Sequence, residues 1–114
     1  MIKLTQLVVD LNTVEIRFND AMFVQGNVTI ITGKNGTGKT TLLKTIAGFY
    51  PYQGTIEVQG EVTYNAEDTV IFNRTVFENI IYPLRIRKLD ISDYMKRIDE
   101  YAKALEIDHL LEKN

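Results

Sequence analysis

Gly33-Lys34-Asn35-Gly36-Thr37-Gly38-Lys39-Thr40 matches the pattern G-x-x-x-x-G-K-[ST] at every position, and its flanks decide the fold. Just before it, Val28 to Thr32 is a β-branched run with little charge nearby, which predicts a strand covered on both faces at the centre of a sheet. Just after it, Lys39 to Ala47 reads as a helix, with Leu42, Leu43, Ile46 and Ala47 on one stripe and Gly48 as a left-handed C-terminal residue. Strand, glycine loop and helix in that order make a phosphate cradle. The glycines permit positive φ and gather successive N–H groups into a concave nest, at which the following helix aims its positive dipole end. Lys39 adds a full positive charge for the β- and γ-phosphates, and the Thr40 hydroxyl is an oxygen donor suited to Mg²⁺. A glycine-rich turn that merely precedes a lysine is the plain alternative, and the flanking strand and helix count against it.

Working outward toward the N-terminus, Ile2 to Leu4 and Leu7 to Val9 look like strand. Val14, Ile16 and Phe18 alternate with Glu15 and Arg17 as a half-buried antiparallel strand does, and Asn12-Thr13 and Asn19-Asp20 supply turns. Toward the C-terminus, a turn at residues 50–54 leads to strands at Thr55 to Val58 and Glu61 to Tyr64, separated by Gly60. Thr75-Val76-Phe77-Glu78 has capping-box spacing and predicts a helix start, with Pro83 limiting that helix to a short one. Ile91, Met95, Ile98, Ala102 and Leu105 form an amphipathic stripe, with Asp93/Arg97 and Asp99/Lys103 spaced as i,i+4 pairs on the other face.

The 114 residues are 45% hydrophobic and 25% charged with two prolines, a composition that disfavours disorder and collagen-like repeats and fits an ordinary α/β or α+β chain. The charge of −2, with no block of like charges, gives nucleic acid and anionic membrane surfaces no support as partners. Any anion must therefore be held locally. Without cysteine there is no disulfide, zinc-thiolate, iron–sulfur or thiol chemistry, and a reducing cytoplasm fits. The opening MIKLTQLVVDLN is too short and interrupted to be a signal peptide, and no run reaches the ~20 apolar residues of a membrane span. Residues 83–114 hold half of the 28 charges, whereas 28–58 hold only Lys34, Lys39, Lys44 and Glu57, so a buried front portion gives way to a solvated helical one.

Taken with its neighbours, Gly33 to Thr41 followed by Leu42-Leu43-Lys44-Thr45-Ile46-Ala47-Gly48 resembles the ATP-binding cassette (ABC) ATPases, in which G-x-N-G-x-G-K-T-T-L-L and a closing A-G are typical. Gly54 to Gly60 is similar to the family's S-G-x-I-x-x-x-G hairpin, Thr75 to Ile80 to its T-V-x-E-N-I helix start, and Ala104 to Glu112 to the segment leading into its signature motif. The resemblance implies a P-loop NTPase of α/β class: a partial ABC nucleotide-binding domain, with an antiparallel β subdomain, the first part of a RecA-like core and the start of a helical subdomain. It divides at residues 1–64 and 65–114, the latter opening on the glutamine-loop region. Carried over residue by residue, the resemblance implies that Gly33, Asn35, Gly36, Thr37, Gly38, Lys39, Thr40 and Thr41 line the phosphates of ATP. Lys39 is then the catalytic cation, Thr40 is on Mg²⁺, and Thr41 lies near the α-phosphate. A transmembrane transporter subunit and a second nucleotide-binding domain are the implied partners, and the implied location is the cytoplasmic side of the inner membrane, held there through the transmembrane partner. Within the family, the short loops and T-V-F-E-N start resemble the haem-exporter ATPases of cytochrome c maturation.

Two positions depart from the family pattern. The aromatic that stacks on adenine aligns near Leu11, which offers apolar contact without a π-face. The glutamine loop falls between Tyr64 and Thr75 and contains no glutamine; Glu67 is the positional match, a carboxylate able to ligate metal but repelling a γ-phosphate. These 114 residues hold no L-S-G-G-Q, no apolar run ending in Asp-Glu after the loop and no switch histidine, His109 being a solvated surface residue. The expectation is therefore a truncated domain that binds Mg-ATP weakly and does not by itself complete hydrolysis. A different P-loop enzyme is the first alternative, although no N-K-x-D or D-x-x-G occurs. An interaction module is the second: Phe72, Val76, Phe77, Ile80, Ile81 and Tyr82 form an apolar cluster that is a docking patch if exposed and core if buried.

Overall fold

Leu4, Leu7 and Val9 are each at most 1% exposed, yet a strict two-residue alternation would send Leu4 and Leu7 to opposite faces. The chain resolves this at Gln6, whose φ of 50° breaks the alternation inside a single strand, β1 (Ile2–Asp10). The register against the neighbouring strand shifts between Thr5 and Val8, as at a bulge. Opposite the break lies Gly54, at φ 91°, where a Cβ would collide with the carbonyl oxygens of Gln6 and Thr5. Only glycine fits there. The Gln6 amide is not lost, because it donates to Asp20 Oδ1 at 2.7 Å.

The computed structural model describes all 114 residues, in two units, Met1–Ala66 and Glu67–Asn114. In the first, β1 is the hub of a four-stranded antiparallel sheet. β2 (Glu15–Arg17) and β3 (Ala21–Phe23) pair successive parts of β1, with Val9 opposite Ile16 and Lys3 opposite Met22, while β4 (Gln53–Val58) pairs β1 through Leu4 opposite Ile56. Leu42 of helix α1 (Lys39–Ile46) joins Leu4, Leu7 and Val9 in the core. The end of α1 follows the pattern read from sequence: Gly48 donates to the Thr45 carbonyl and Phe49 to that of Lys44, so the last carbonyls are satisfied as in a Schellman motif.

The predicted central strand at Val28 to Thr32 is not formed, and Val28 and Ile30 are 93% and 80% exposed. The same holds for Glu61 to Tyr64, which has no strand pairing. A strand exists through hydrogen bonds to a neighbour, and none of the four paired strands runs beside either segment. Only Ile31 of the first packs against the core cluster. The centre of the sheet is β1.

In the second unit, α2 (Val76–Ile86) buries Ile81 and runs through Pro83 rather than stopping before it. A proline inside a helix deprives the Asn79 carbonyl of a partner and costs roughly 3 kcal/mol; the full burial of Ile81 and a completely satisfied N-terminus offset that cost. A 3₁₀ turn (Ile91–Tyr94) leads into α3 (Met95–Ala104), which buries Ile98 and Ala102 from the expected stripe. The Asp99–Lys103 pair is present at 3.3 Å, whereas Asp93 falls in the 3₁₀ turn ahead of the helix. Exposed pairs of this kind contribute little. A second 3₁₀ turn, Asp108–Leu110, closes the unit.

Candidate functional site

The first turn of α1 is built around Gly38, its N-cap, at φ 100°. A capping side chain would normally accept one of the helix's free amides. Glycine has none, and no acidic residue occupies the first turn. Leu42 is the first residue of the helix whose amide finds an acceptor, the Gly38 carbonyl at 2.8 Å. The amides of Lys39, Thr40 and Thr41 are left pointing out of the helix end without a protein acceptor. Together with the positive end of the helix dipole, they form an anion site with no anion of the protein's own in it.

The loop before the helix is closed on itself by short contacts. Thr37 Oγ1 donates to the Lys34 carbonyl at 2.8 Å, and Lys39 Nζ donates to the carbonyls of Gly33 and Lys34 at 2.6 and 2.8 Å. Both acceptors of Lys39 are neutral, so its charge stands uncompensated inside the loop. A charged acceptor makes a hydrogen bond about twice as strong as a neutral one, so a phosphate oxygen competes well for the ammonium. A Cβ on Gly33 would lie 2.8 Å from Thr37 Oγ1, so a larger residue there displaces the Thr37 hydroxyl that closes the loop.

The structure thus brings Gly33, Asn35, Gly36, Thr37, Gly38, Lys39, Thr40 and Thr41 into one short loop and helix start. Thr40 is exposed, and the chain gathers no group of three or more His, Asp or Glu side chains able to hold a metal. The Thr40 hydroxyl is an oxygen donor of the kind Mg²⁺ takes alongside phosphate and water oxygens. Leu11, after the end of β1, is partly buried against the core cluster, and its amide donates to the Val14 carbonyl at 3.0 Å. Glu67 is exposed in a bend at the start of the second unit.

Within the second unit, the apolar cluster divides. Ile81 is 1% exposed and is core, whereas Phe72 is 37% exposed and its ring lies 4.4 Å from that of Tyr82. Both line an apolar groove of about 700 Å³, together with Val70, Ile71, Val76 and Ile80. Sequence reasoning missed the residue that shapes its wall. Asn79 accepts from the Phe72 amide at 2.9 Å and donates to the carbonyls of Phe72, Arg74 and Thr75 at 3.1, 3.3 and 3.0 Å, pinning the loop to α2. A lone asparagine early in a helix after an irregular stretch was the available signal.

Comparison with known proteins identifies the family. The sequence model of the ABC transporter family matches residues 19–114. The chain is 35% identical over 100 residues to the ATP-binding protein of a tungstate uptake system from Peptoclostridium acidaminophilum, covering 80% of this chain and 47% of that protein. It is 35% identical over 102 residues to a molybdate/tungstate import ATP-binding protein from Pyrococcus horikoshii, covering 78% and 30%. It is 33% identical over 119 residues to an energy-coupling factor transporter ATP-binding protein from Thermotoga maritima, covering 87% and 45%. The chain spans less than half the length of each of these relatives, and none of them supports the haem-exporter resemblance.

Proposed function

We propose that this chain, which belongs to the ABC transporter family, binds the polyphosphate of ATP at Gly33–Thr41 and forms part of the ATPase subunit of a transport system. One observation carries the reading: α1 begins with three unsatisfied amides, no cap and no acid, beside a lysine whose acceptors are neutral carbonyls. Such an arrangement favours an anion. The roles follow from chemistry. The amides of the first turn and Lys39 hold and neutralise phosphate oxygens, the Thr40 hydroxyl supplies one ligand to Mg²⁺, and Thr41 meets the α-phosphate. Mg²⁺ held at the Thr40 hydroxyl would supply charge neutralisation to the phosphate oxygens. Leu11 gives the base apolar contact, and Glu67 is the sequence's match to the glutamine-loop position.

Hydrolysis and coupling belong to the whole protein, in which we assign this chain to the ATPase partnered by a second nucleotide-binding domain and a transmembrane subunit on the cytoplasmic side of the membrane. No helix of this chain is long and apolar enough to cross a membrane. Two of the three relatives described are named for uptake or import, which favours import over export. The open groove with Phe72 exposed is the surface we assign to the transmembrane subunit.

Titrating the chain with Mg-ATP tests the site. Saturable binding is expected, and Lys39→Ala should weaken it at least about tenfold, because a charge-assisted hydrogen bond contributes ~1.5–3 kcal/mol. Equal binding by the two proteins would show that the site lies elsewhere.

A further inference from the structure

Gly38 is the hinge on which the site turns. Its φ of 100° sets the direction in which α1 leaves the loop, and therefore where the amides of Lys39, Thr40 and Thr41 point. Glycine alone does not hold such a value, since it samples positive and negative φ about equally. Something beside it must. A Cβ built on Gly38 would lie 3.2 and 3.3 Å from Cδ1 and Cγ2 of Ile16 and 3.4 Å from Cζ of Phe18, so these two side chains already fill the space beside the glycine.

The two sit close together in the chain: Ile16 is the middle residue of β2 and Phe18 follows the strand's end, while Glu15 and Arg17 form a 2.7 Å ion pair with each other. The backing is well anchored. Ile16 pairs Val9, a residue with 0% exposure, and the Phe18 amide donates to the carbonyl of the buried Leu7 at 2.9 Å. Phe18 also packs against the core cluster that holds Leu7, Val9 and Leu42, so the contact on Gly38 is backed by the core.

We propose that Ile16 and Phe18 are positioning residues for the phosphate loop: by packing on Gly38 they hold its φ, and so aim the first-turn amides of α1 at the polyphosphate. This rests on the reading of Gly33–Thr41 as the ATP site. The antiparallel sheet then has a direct part in nucleotide affinity without touching nucleotide. A site left a fraction of an ångström loose behind its contacts loses binding even when every contacting residue is present.

The test compares two equal truncations in the same sheet. Ile16 and Ile56 are both partly buried, but Ile56 pairs Leu4, five residues along β1 from Val9. Mg-ATP affinity and thermal unfolding are measured for wild type, Ile16→Ala, Ile16→Val, Ile56→Ala and Lys39→Ala. Both alanine variants at isoleucine should unfold at lower temperature, while only Ile16→Ala should lose ATP affinity, by about tenfold. Ile16→Val keeps Cγ2 against Gly38 and should restore most of the binding, at about twofold to threefold below wild type; if Ile16→Ala does not fold, this variant decides alone. The proposal is overturned if Ile16→Ala, or Ile16→Val in its place, binds as wild type does, or if Ile56→Ala loses as much affinity as Ile16→Ala. Should Lys39→Ala bind as tightly as wild type, the ATP-site reading itself fails and takes the proposal with it.

Discussion

The two helices α1 and α2 begin in opposite ways. At α2 every early amide has a protein acceptor: Val76 and Phe77 donate to the carbonyls of Lys113 and Leu111 at 2.8 and 2.9 Å, Glu78 to Thr75 Oγ1 at 3.1 Å, and Asn79 to the Thr75 carbonyl at 3.0 Å. The Glu78 carboxylate reaches back to the Thr75 amide at 3.2 Å and supplies the negative charge that the dipole favours. At α1 the cap is glycine, the third helical position is Thr41 rather than an acid, and the amides of Lys39 to Thr41 have no protein acceptor. One terminus is finished by its own chain. The other is left open by its own chain, and that is the difference on which the proposed ATP site rests.

The sharpest way to break the contrast is to give α1 what α2 has. Thr41 and Glu78 occupy the same position, third after the cap. Thr41→Glu should stabilise the isolated helix end by ~0.3–1 kcal/mol through the dipole. It should weaken Mg-ATP at least about a hundredfold, since like charges ~4 Å apart repel by ~4 kcal/mol at an effective dielectric of 20; titration calorimetry with thermal unfolding reads both. The Lys39→Ala loss of about tenfold, described above, comes next. Removing the α2 cap should do the reverse: Thr75→Ala is expected to lower unfolding stability by ~1 kcal/mol and leave ATP affinity within about twofold, as denaturant unfolding and titration would show.

The smallest effect concerns a third terminus. Asp90, the cap of the 3₁₀ turn before α3, accepts from the Ser92 hydroxyl and amide at 2.7 and 3.0 Å, and these bonds hold its carboxyl below the usual carboxylate range. A lowered folded value means the contribution is complete above the ordinary pKa of 3.8 and is lost as pH falls through the folded one. Protection of the Ser92 amide should therefore fall as pH drops below the ordinary carboxylate range, and Asp90→Asn should remove that pH dependence.

What was legible in the sequence is what local chemistry determines. The helix start after the glycine loop, the Thr75/Glu78 capping box, the Gly48 helix end and the Ile98/Ala102 stripe each depend on residues a few positions apart, and each is found where expected. What was not legible depends on partners distant in the chain. Val28 to Thr32 has the composition of a buried strand, but composition does not supply a neighbour, and without one the segment stays unpaired and exposed. Ala21 to Phe23, read only as following a turn, is a strand because β1 pairs it. The bulge at Gln6 required Gly54 and Asp20, and the satisfied start of α2 required Leu111 and Lys113. Within the site, the loop residues were readable by motif. The backing of Gly38 by Ile16 and Phe18 was not, because the alternation of Val14, Ile16 and Phe18 in sequence does not say what those side chains meet.

The central claim is that the open terminus, and not the capped one, receives the polyphosphate. Mapping backbone amide chemical shifts during a Mg-ATP titration of the wild-type chain tests it most directly. The largest saturable shifts should fall on Gly36 to Thr41, with Val76 to Glu78 essentially still. Shifts centred on Val76 to Glu78, or none on Gly36 to Thr41 at saturation, would contradict the account.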